Sequence, residues 1–249
     1  AFYRAFAKRC TNLCRVPTFL GAWELPESNS SCICLEDLDA CGFDKRRSNG
    51  TASLDEIRLC LRWLAHFHAT FLQEPATPTS ASDALWAIGT YWHLDTRPDE
   101  WRDMDEGELK DMAGAIDATL NAAVHKTLVH GDAKLANFCF TGAADDVAAV
   151  DFQYVGHGAG CKDVYYLLSC QPEATLRDHA DSLLDFYYDQ LRRCLPPEIS
   201  SRVEEEWRGL YKFAVADFER FLSGWSPGHV KRTGYSAQLT KQALMALRR

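Results

Sequence analysis

The sequence predicts an α+β fold in which a short β segment leads into a mostly helical body with one small β insertion. Three observations carry that prediction. Two strand-like runs lie near the start, helical periodicity dominates from residue 54 onwards, and short β-branched runs holding acidic residues interrupt the helices around 128–153. At 249 residues the chain is long enough to bury a real core, as one large domain or two modest ones. Its 47% hydrophobic and 25% charged residues are ordinary for a globular protein. A formal net charge of −8 argues against a nucleic-acid binder, which needs a basic face or stripe. No run of about 18 apolar residues exists, so no membrane span is expected.

Taken in order, residues 2–14 read as the end of an amphipathic helix, unlike a signal peptide. Pro17 opens an extended run over residues 18–24. A polar turn from Pro26 to Ser31 leads to a second strand, Cys32 to Leu35, so the two runs read as a β-hairpin. After a Gly/Asn/Ser-rich loop, Ser53 and Glu56 form a capping-box signature. Behind it Ile57, Leu61, Leu64, His68 and Phe71 recur at helical spacing, which predicts a helix over 54–72, ended by Pro75 and Pro78. A Trp-rich section precedes a helix at about 105–123. Helices follow the motif strands at 161–169, 173–194, 198–222 and 235–248, separated by Pro172, Pro196-Pro197 and the Gly224-to-Gly234 loop.

Ten cysteines amount to about 4% of the chain, below the level of disulfide scaffolds, and no CxxC pair is present. Reduced, buried thiols in a cytoplasmic protein are therefore expected. His66 and His68 are two apart on a helix, on nearly opposite sides, and cannot share a metal. His68 is expected to face the core. Gly156 to Gly160 imitates a phosphate loop but lacks the strand–turn–helix frame, and reads as a flexible segment.

The chemistry concentrates in Leu128-Val-His-Gly-Asp-Ala-Lys-Leu-Ala-Asn137 and Val150-Asp-Phe-Gln153. Apolar runs flank the polar residues, giving strand–loop–strand–loop, so that Asp132, Asn137 and Asp151 face one another at the ends of a hairpin-like pair. Phosphoryl transfer needs such a set: one carboxylate beside the attacking hydroxyl, and a second carboxylate with an amide oxygen to hold Mg²⁺.

These residues carry a resemblance. His130-Gly-Asp132 with Asn137 is similar to the HxDxxxxN loop of the protein-kinase-like phosphotransferases, and Asp151-Phe-Gln153 to their metal-binding Asp-Phe-Gly. Asp163, within Gly160 to Leu167, matches the downstream Asp of the aminoglycoside phosphotransferase and choline kinase relatives, and Leu35-Glu-Asp-Leu38 resembles their hinge. Together with Phe186 to Leu191 the motifs lean towards the CHK kinase-like, or ecdysteroid-kinase-like, branch over residues 1 to about 195.

The resemblance implies a bilobal kinase-like fold. Residues 1–38 would be the remnant of the N-terminal lobe (helix end, hairpin and hinge), and 39–249 the helical C-terminal lobe with the catalytic and metal-binding loops. It further implies an ATP- and Mg²⁺-dependent phosphotransferase acting on a small-molecule alcohol. Asp132 would accept the hydroxyl proton, and Lys134 could neutralise charge on the transferred group, although a solvated loop lysine is an equal reading. Asn137 and Asp151 would bind Mg²⁺, and the backbone of Leu35, Glu36, Asp37 and Leu38 would hold adenine. His130 and Asp163 would support the loop.

The pattern departs from the family at its beginning, where no candidate for the phosphate-clamping Lys–Glu pair is found. A fragment of a longer protein, weak with ATP by itself, is therefore expected, since a hairpin without partner strands leaves open edges. The alternative is a catalytically impaired pseudokinase serving as a binding or scaffold module. A protein kinase is disfavoured, because HGD replaces HRD and Asp163 follows Asp151 after only twelve residues. The acceptor stays open. Trp86, Trp92 and Trp101 could wall its pocket or belong to the core, an acidic helical region would suit cationic acceptors, and Trp207, Tyr211, Phe213, Phe218, Phe221 and Trp225 would suit a lipid-like alcohol.

Overall fold

The computed structural model describes residues 1–25, 30–73 and 85–248. The expected turn around Pro26 and the helix-ending Pro75 and Pro78 fall outside those residues in whole or in large part. The chain opens on a single turn, α1 (Phe2–Ala5), followed by 3₁₀ turns at Ala7–Arg9 and Asn12–Cys14. The expected helix end is thus broken up. Thr11 caps the last of these turns: its hydroxyl accepts from Leu13 N at 3.2 Å, a local bond that competes with a continuing helix.

Strands β1 (Phe19–Leu25) and β2 (Ser30–Leu35) pair antiparallel, Phe19 opposite Leu35 and Leu25 opposite Ser30. As predicted, they form a hairpin. Helix α2 (Leu54–Thr70) starts on the anticipated capping box, with Ser53 N donating to Glu56 Oε2 at 2.8 Å and Glu56 N to Ser53 Oγ at 3.2 Å. Ile57, Leu61, Leu64, His68 and Phe71 are all fully buried. Each large apolar side chain so buried contributes about 1.5–3 kcal/mol.

Two departures from the expected pattern come next. The first is α3 (Pro98–Arg102), begun by a proline in its first turn, where the missing N–H costs nothing. The predicted helix at 105–123 is the second departure: it divides into α4 (Glu108–Asp111) and α5 (Ala113–Asn121) at Met112, whose ψ of 3° leaves the helical range. Gly114 just beyond the break gives a continuous helix little local support.

Four short strands make the β insertion: β3 (Thr127–Val129), β4 (Phe138–Phe140), β5 (Val147–Ala149) and β6 (Gly156–Gly158). β4 and β5 pair as a hairpin, Phe138 opposite Ala149. β3 does not join it. It pairs with β6, so the glycine-rich segment read as flexible is a strand, with Val129 opposite Gly156. Its glycines are packing residues: a Cβ on Gly156 would meet Trp86 O at 2.4 Å.

The helical body is completed by α6 (Cys161–Leu168), α7 (Glu173–Cys194), α8 (Pro197–Trp225) and α9 (Gly234–Leu247), all close to the predicted spans. α2 packs along α7, and α8, about 44 Å long, is braced by α3, α5, α6 and α9. One core joins these helices to the β insertion. Among the described residues no helix is long and apolar enough to cross a membrane. All ten cysteines are free thiols.

Candidate active site

The loop after β3 is held from below by one carboxylate. Asp163, fully buried in the first turn of α6, accepts from His130 N at 2.5 Å, Gly131 N at 3.0 Å and His68 Nε2 at 3.1 Å. His68 in turn accepts at Nδ1 from the Tyr187 hydroxyl at 2.7 Å. Burial holds that phenol well above its ordinary pKa, so it remains a donor. A chain of partners from α7 through α2 and α6 thus fixes the loop backbone. Gly131 has φ +80°, and a Cβ there would lie 2.1 Å from Tyr154 O, so only glycine fits.

His130 ties two loops together. Its Nε2 donates to Val150 O at 2.9 Å, while Nδ1 accepts from Asp132 N at 3.3 Å. That pattern demands the neutral ring, and burial lowers its pKa accordingly. The catalytic-type loop and the segment entering Asp151 are therefore set by one imidazole.

Asp132 is 2% exposed. Its Oδ2 accepts from Lys134 Nζ at 2.8 Å and Asn137 Nδ2 at 3.1 Å, whereas its Oδ1 is buried with no partner. Asn137 also donates to Asp132 O at 2.8 Å, which leaves its amide oxygen uncommitted. Val150 N donates to Asn137 O at 3.0 Å, so Asn137 and Asp151 flank the same end of the β4–β5 hairpin. Asp151 has φ +67°, a left-handed conformation that Asp tolerates better than most residues, and its N–H reaches the Tyr3 hydroxyl at 3.3 Å. The tertiary structure thus brings Asp132, Lys134, Asn137 and Asp151 together, with His130 and Asp163 beneath them.

The donors fit a hard divalent cation. One carboxylate and one amide oxygen suit Mg²⁺, which takes its other positions from phosphates and water. No cluster of three His, Cys, Asp or Glu side chains that could hold a metal unaided exists among the described residues.

Asp132 and Lys134 open onto a cavity of about 510 Å³, within the range of small-molecule sites. Tyr91, Tyr154, Tyr166, Phe218, Leu222 and Trp225 supply its apolar wall, with His229 and Lys231 alongside. The Tyr91 and Tyr166 hydroxyls lie 3.0 Å apart, and burial pushes Tyr91 up to about 12, so these phenols stay protonated beside Asp132. Of the tryptophans weighed from sequence, Trp92 is core, while Trp86 and Trp101 are half-exposed and neither lines this cavity. Trp207 and Tyr211 are core too, and Phe218 and Trp225 reach the wall. Tyr91, Tyr154, Tyr166, His229 and Lys231 were not legible as site residues. They come from four separated stretches, and no spacing marks them.

Leu35 to Leu38 do not line this cavity. Glu36 anchors the segment: it accepts from Arg15 at 2.6 Å and from Thr18 N and Oγ1, each at 2.9 Å. The Arg15 guanidinium, with those bonds, holds its carboxyl down at about 2. Asp37 caps Asp39 N at 3.0 Å, and Leu38 is buried against Phe43, Cys139 and Ala148. A second cavity of about 380 Å³ adjoins this side, lined by Tyr3, Arg4, Lys8, Arg15, Thr18 and Phe19 among others.

The model of the ecdysteroid kinase-like family matches residues 95–197. None of the curated protein sequences matches the chain. Among solved structures it is similar to a proposed aminoglycoside phosphotransferase of Ralstonia eutropha (TM-score 0.55, 13% identity, 98% of this chain and 79% of that one). It is likewise similar to an amicoumacin kinase solved with AMP-PNP and Ca²⁺ (TM-score 0.54, 11% identity, 94% and 72%). A third match is the ethanolamine kinase of Plasmodium vivax (TM-score 0.51, 13% identity, 99% and 70%). The chain has the fold of the kinase-like small-molecule phosphotransferases, with a mostly helical lobe and a small β portion.

Proposed function

We propose that this chain takes part in ATP- and Mg²⁺-dependent transfer of a phosphoryl group to a hydroxyl of a small molecule. The observation that carries the reading is Asp132 Oδ1, a buried carboxylate oxygen without a partner at the wall of the 510 Å³ cavity. Such an atom is costly to bury unless something donates to it. An acceptor hydroxyl would do so, and Asp132 would align it and finally take its proton. Little basicity is required, since a loose transition state depends more on orientation than on proton abstraction.

Lys134, already 2.8 Å from Asp132, would also face negative charge on the transferred group. Asn137 Oδ1 and Asp151 would hold Mg²⁺, which when bound neutralises phosphate charge. The amicoumacin kinase, solved with AMP-PNP and Ca²⁺, supports a nucleotide and a divalent ion for this fold. The backbone of Leu35 to Leu38 would take the adenine, beside the cavity lined by Arg4, Lys8 and Arg15.

The test is ADP release from Mg-ATP across a library of alcohols, with Asp132→Ala as control. The expected outcome is turnover with at least one alcohol, reduced about 10²- to 10⁴-fold by the substitution. Retained turnover in Asp132→Ala would remove the assigned role. If wild type binds Mg-ATP and an alcohol without turnover, the second reading, a catalytically impaired binding module, takes its place.

A further inference from the structure

Lys231 stands apart from the other buried cations. Lys162 and Arg220, 3% and 0% exposed, both face the Asp217 carboxylate, at 3.9 and 2.8 Å. Lys231 is 7% exposed, and no carboxylate lies within ion-pair distance of it among the described residues. Its ammonium donates to Cys170 Sγ at 3.3 Å and sits over the Tyr166 ring at 4.1 Å and the Phe218 ring at 5.7 Å. A thiol sulfur is a weak acceptor, and two ring faces compensate a desolvated ammonium only in part. Glu219, next to Phe218 in α8, is committed elsewhere, held by Arg232 Nε at 2.6 Å and the Ser236 hydroxyl at 3.0 Å.

This under-compensated cation lines the same cavity as Asp132. The rest of the lining does not balance it. Among the described residues Asp132 is the one carboxylate there, and it is already paired with Lys134. His229 is kept neutral by burial, with Lys231 adding to the effect, and its Nδ1 accepts from Lys231 N at 3.2 Å. The cavity therefore holds an excess positive charge at one wall, an apolar belt of Tyr91, Tyr166, Phe218, Leu222 and Trp225, and an orphaned acceptor at Asp132.

We propose that Lys231 is a specificity-determining residue, and that the molecule this cavity takes is an apolar alcohol bearing an anionic group, such as a hydroxy acid. The anion would sit against the Lys231 ammonium, the apolar body between the rings, and the hydroxyl at Asp132 Oδ1. The arrangement disfavours an amine-bearing acceptor such as ethanolamine, whose ammonium would meet a like charge without a counter-ion. What becomes of the hydroxyl rests on the phosphotransferase reading above. The preference for an anion does not.

The experiment titrates wild type, Lys231→Met and Lys231→Arg with two matched pairs: 4-(hydroxymethyl)benzoate and its amide, and 6-(hydroxymethyl)-2-naphthoate and its amide. Binding is followed by calorimetry and tryptophan fluorescence without nucleotide, and ADP release is followed separately with Mg-ATP. The acid of each pair is expected to bind wild type about ten- to a hundredfold more tightly than its amide, the worth of a charge-assisted hydrogen bond. Lys231→Met should abolish that ratio and Lys231→Arg should retain it, with circular dichroism and the thermal midpoint of each variant reporting an intact fold. The assignment fails if acid and amide bind wild type alike, if neither binds, or if Lys231→Met keeps the ratio. A Lys231-dependent ratio with no ADP from any alcohol would sink the phosphotransferase reading alone. ADP release from neutral or amine alcohols with no advantage for the acids would sink this inference alone.

Discussion

The loop from His130 to Asn137 and the β1–β2 hairpin are both short segments built on small ladders, yet they are held in opposite ways. The loop is enclosed: Asp163, His68 and Tyr187 come from three different helices to fix its backbone, and Phe138 and Phe152 pack against the His130 ring. The hairpin depends on its own ladder and on the Glu36 anchor at its exit. Leu20, Trp23 and Ile33 on it are 63%, 57% and 52% exposed. Position at the loop is over-determined, whereas position at the hairpin has few partners outside its own ladder.

Five measurements would break or sharpen this contrast. Asp163→Ala should have the largest effect, costing about 3–5 kcal/mol in chemical denaturation, because it strips His68 and two loop N–H groups of their shared buried acceptor. A loss no greater than that of a surface substitution would show that the loop does not depend on the helices. Gly131→Ala comes next, at about 3 kcal/mol, from a left-handed φ and the contact with Tyr154 O.

Glu36→Gln should cost less, about 1–3 kcal/mol near neutral pH, the worth of hydrogen bonds to a charged group. Its sign with pH is fixed. The folded carboxyl is depressed to about 2 from the ordinary 4.5, so its contribution is complete above 4.5 and is lost as pH falls towards 2. The difference between wild type and Glu36→Gln should therefore close over that window. The smallest effect belongs to Trp23→Ser, within about 0.5 kcal/mol, as for other exposed sites. In hydrogen exchange, β1–β2 amides should open well before those of β3 and residues 130–131. The reverse order would contradict the comparison.

The same contrast explains what was legible in the sequence. Helix α2 was readable to within two residues at its end because both its cap, Ser53 and Glu56, and its apolar period are local signals. The apolar runs at 138–140 and 147–150 were readable as short strands because Asn137 and Asp151 mark their ends, but which strands pair was not. The strand at Gly156–Gly158 was missed, since glycines give no apolar alternation. Its assignment rests on Val129 and Trp86, which are remote in sequence. The split at Met112 was missed because one dihedral ends a helix whose pattern continues through it.

At the candidate site the sequence by itself determined the acidic and amide groups, their order and the loops that carry them, because each lies within one short motif where covalent spacing limits reach. The tertiary structure alone decided that Asp132 keeps one oxygen unpartnered, and that His130 joins the two loops. It alone also put Lys231 from the 226–233 loop, Tyr91 and Tyr166 on one wall with Asp132. Burial and pairing are properties of surroundings assembled from distant segments, and no residue's own neighbours in the chain encode them.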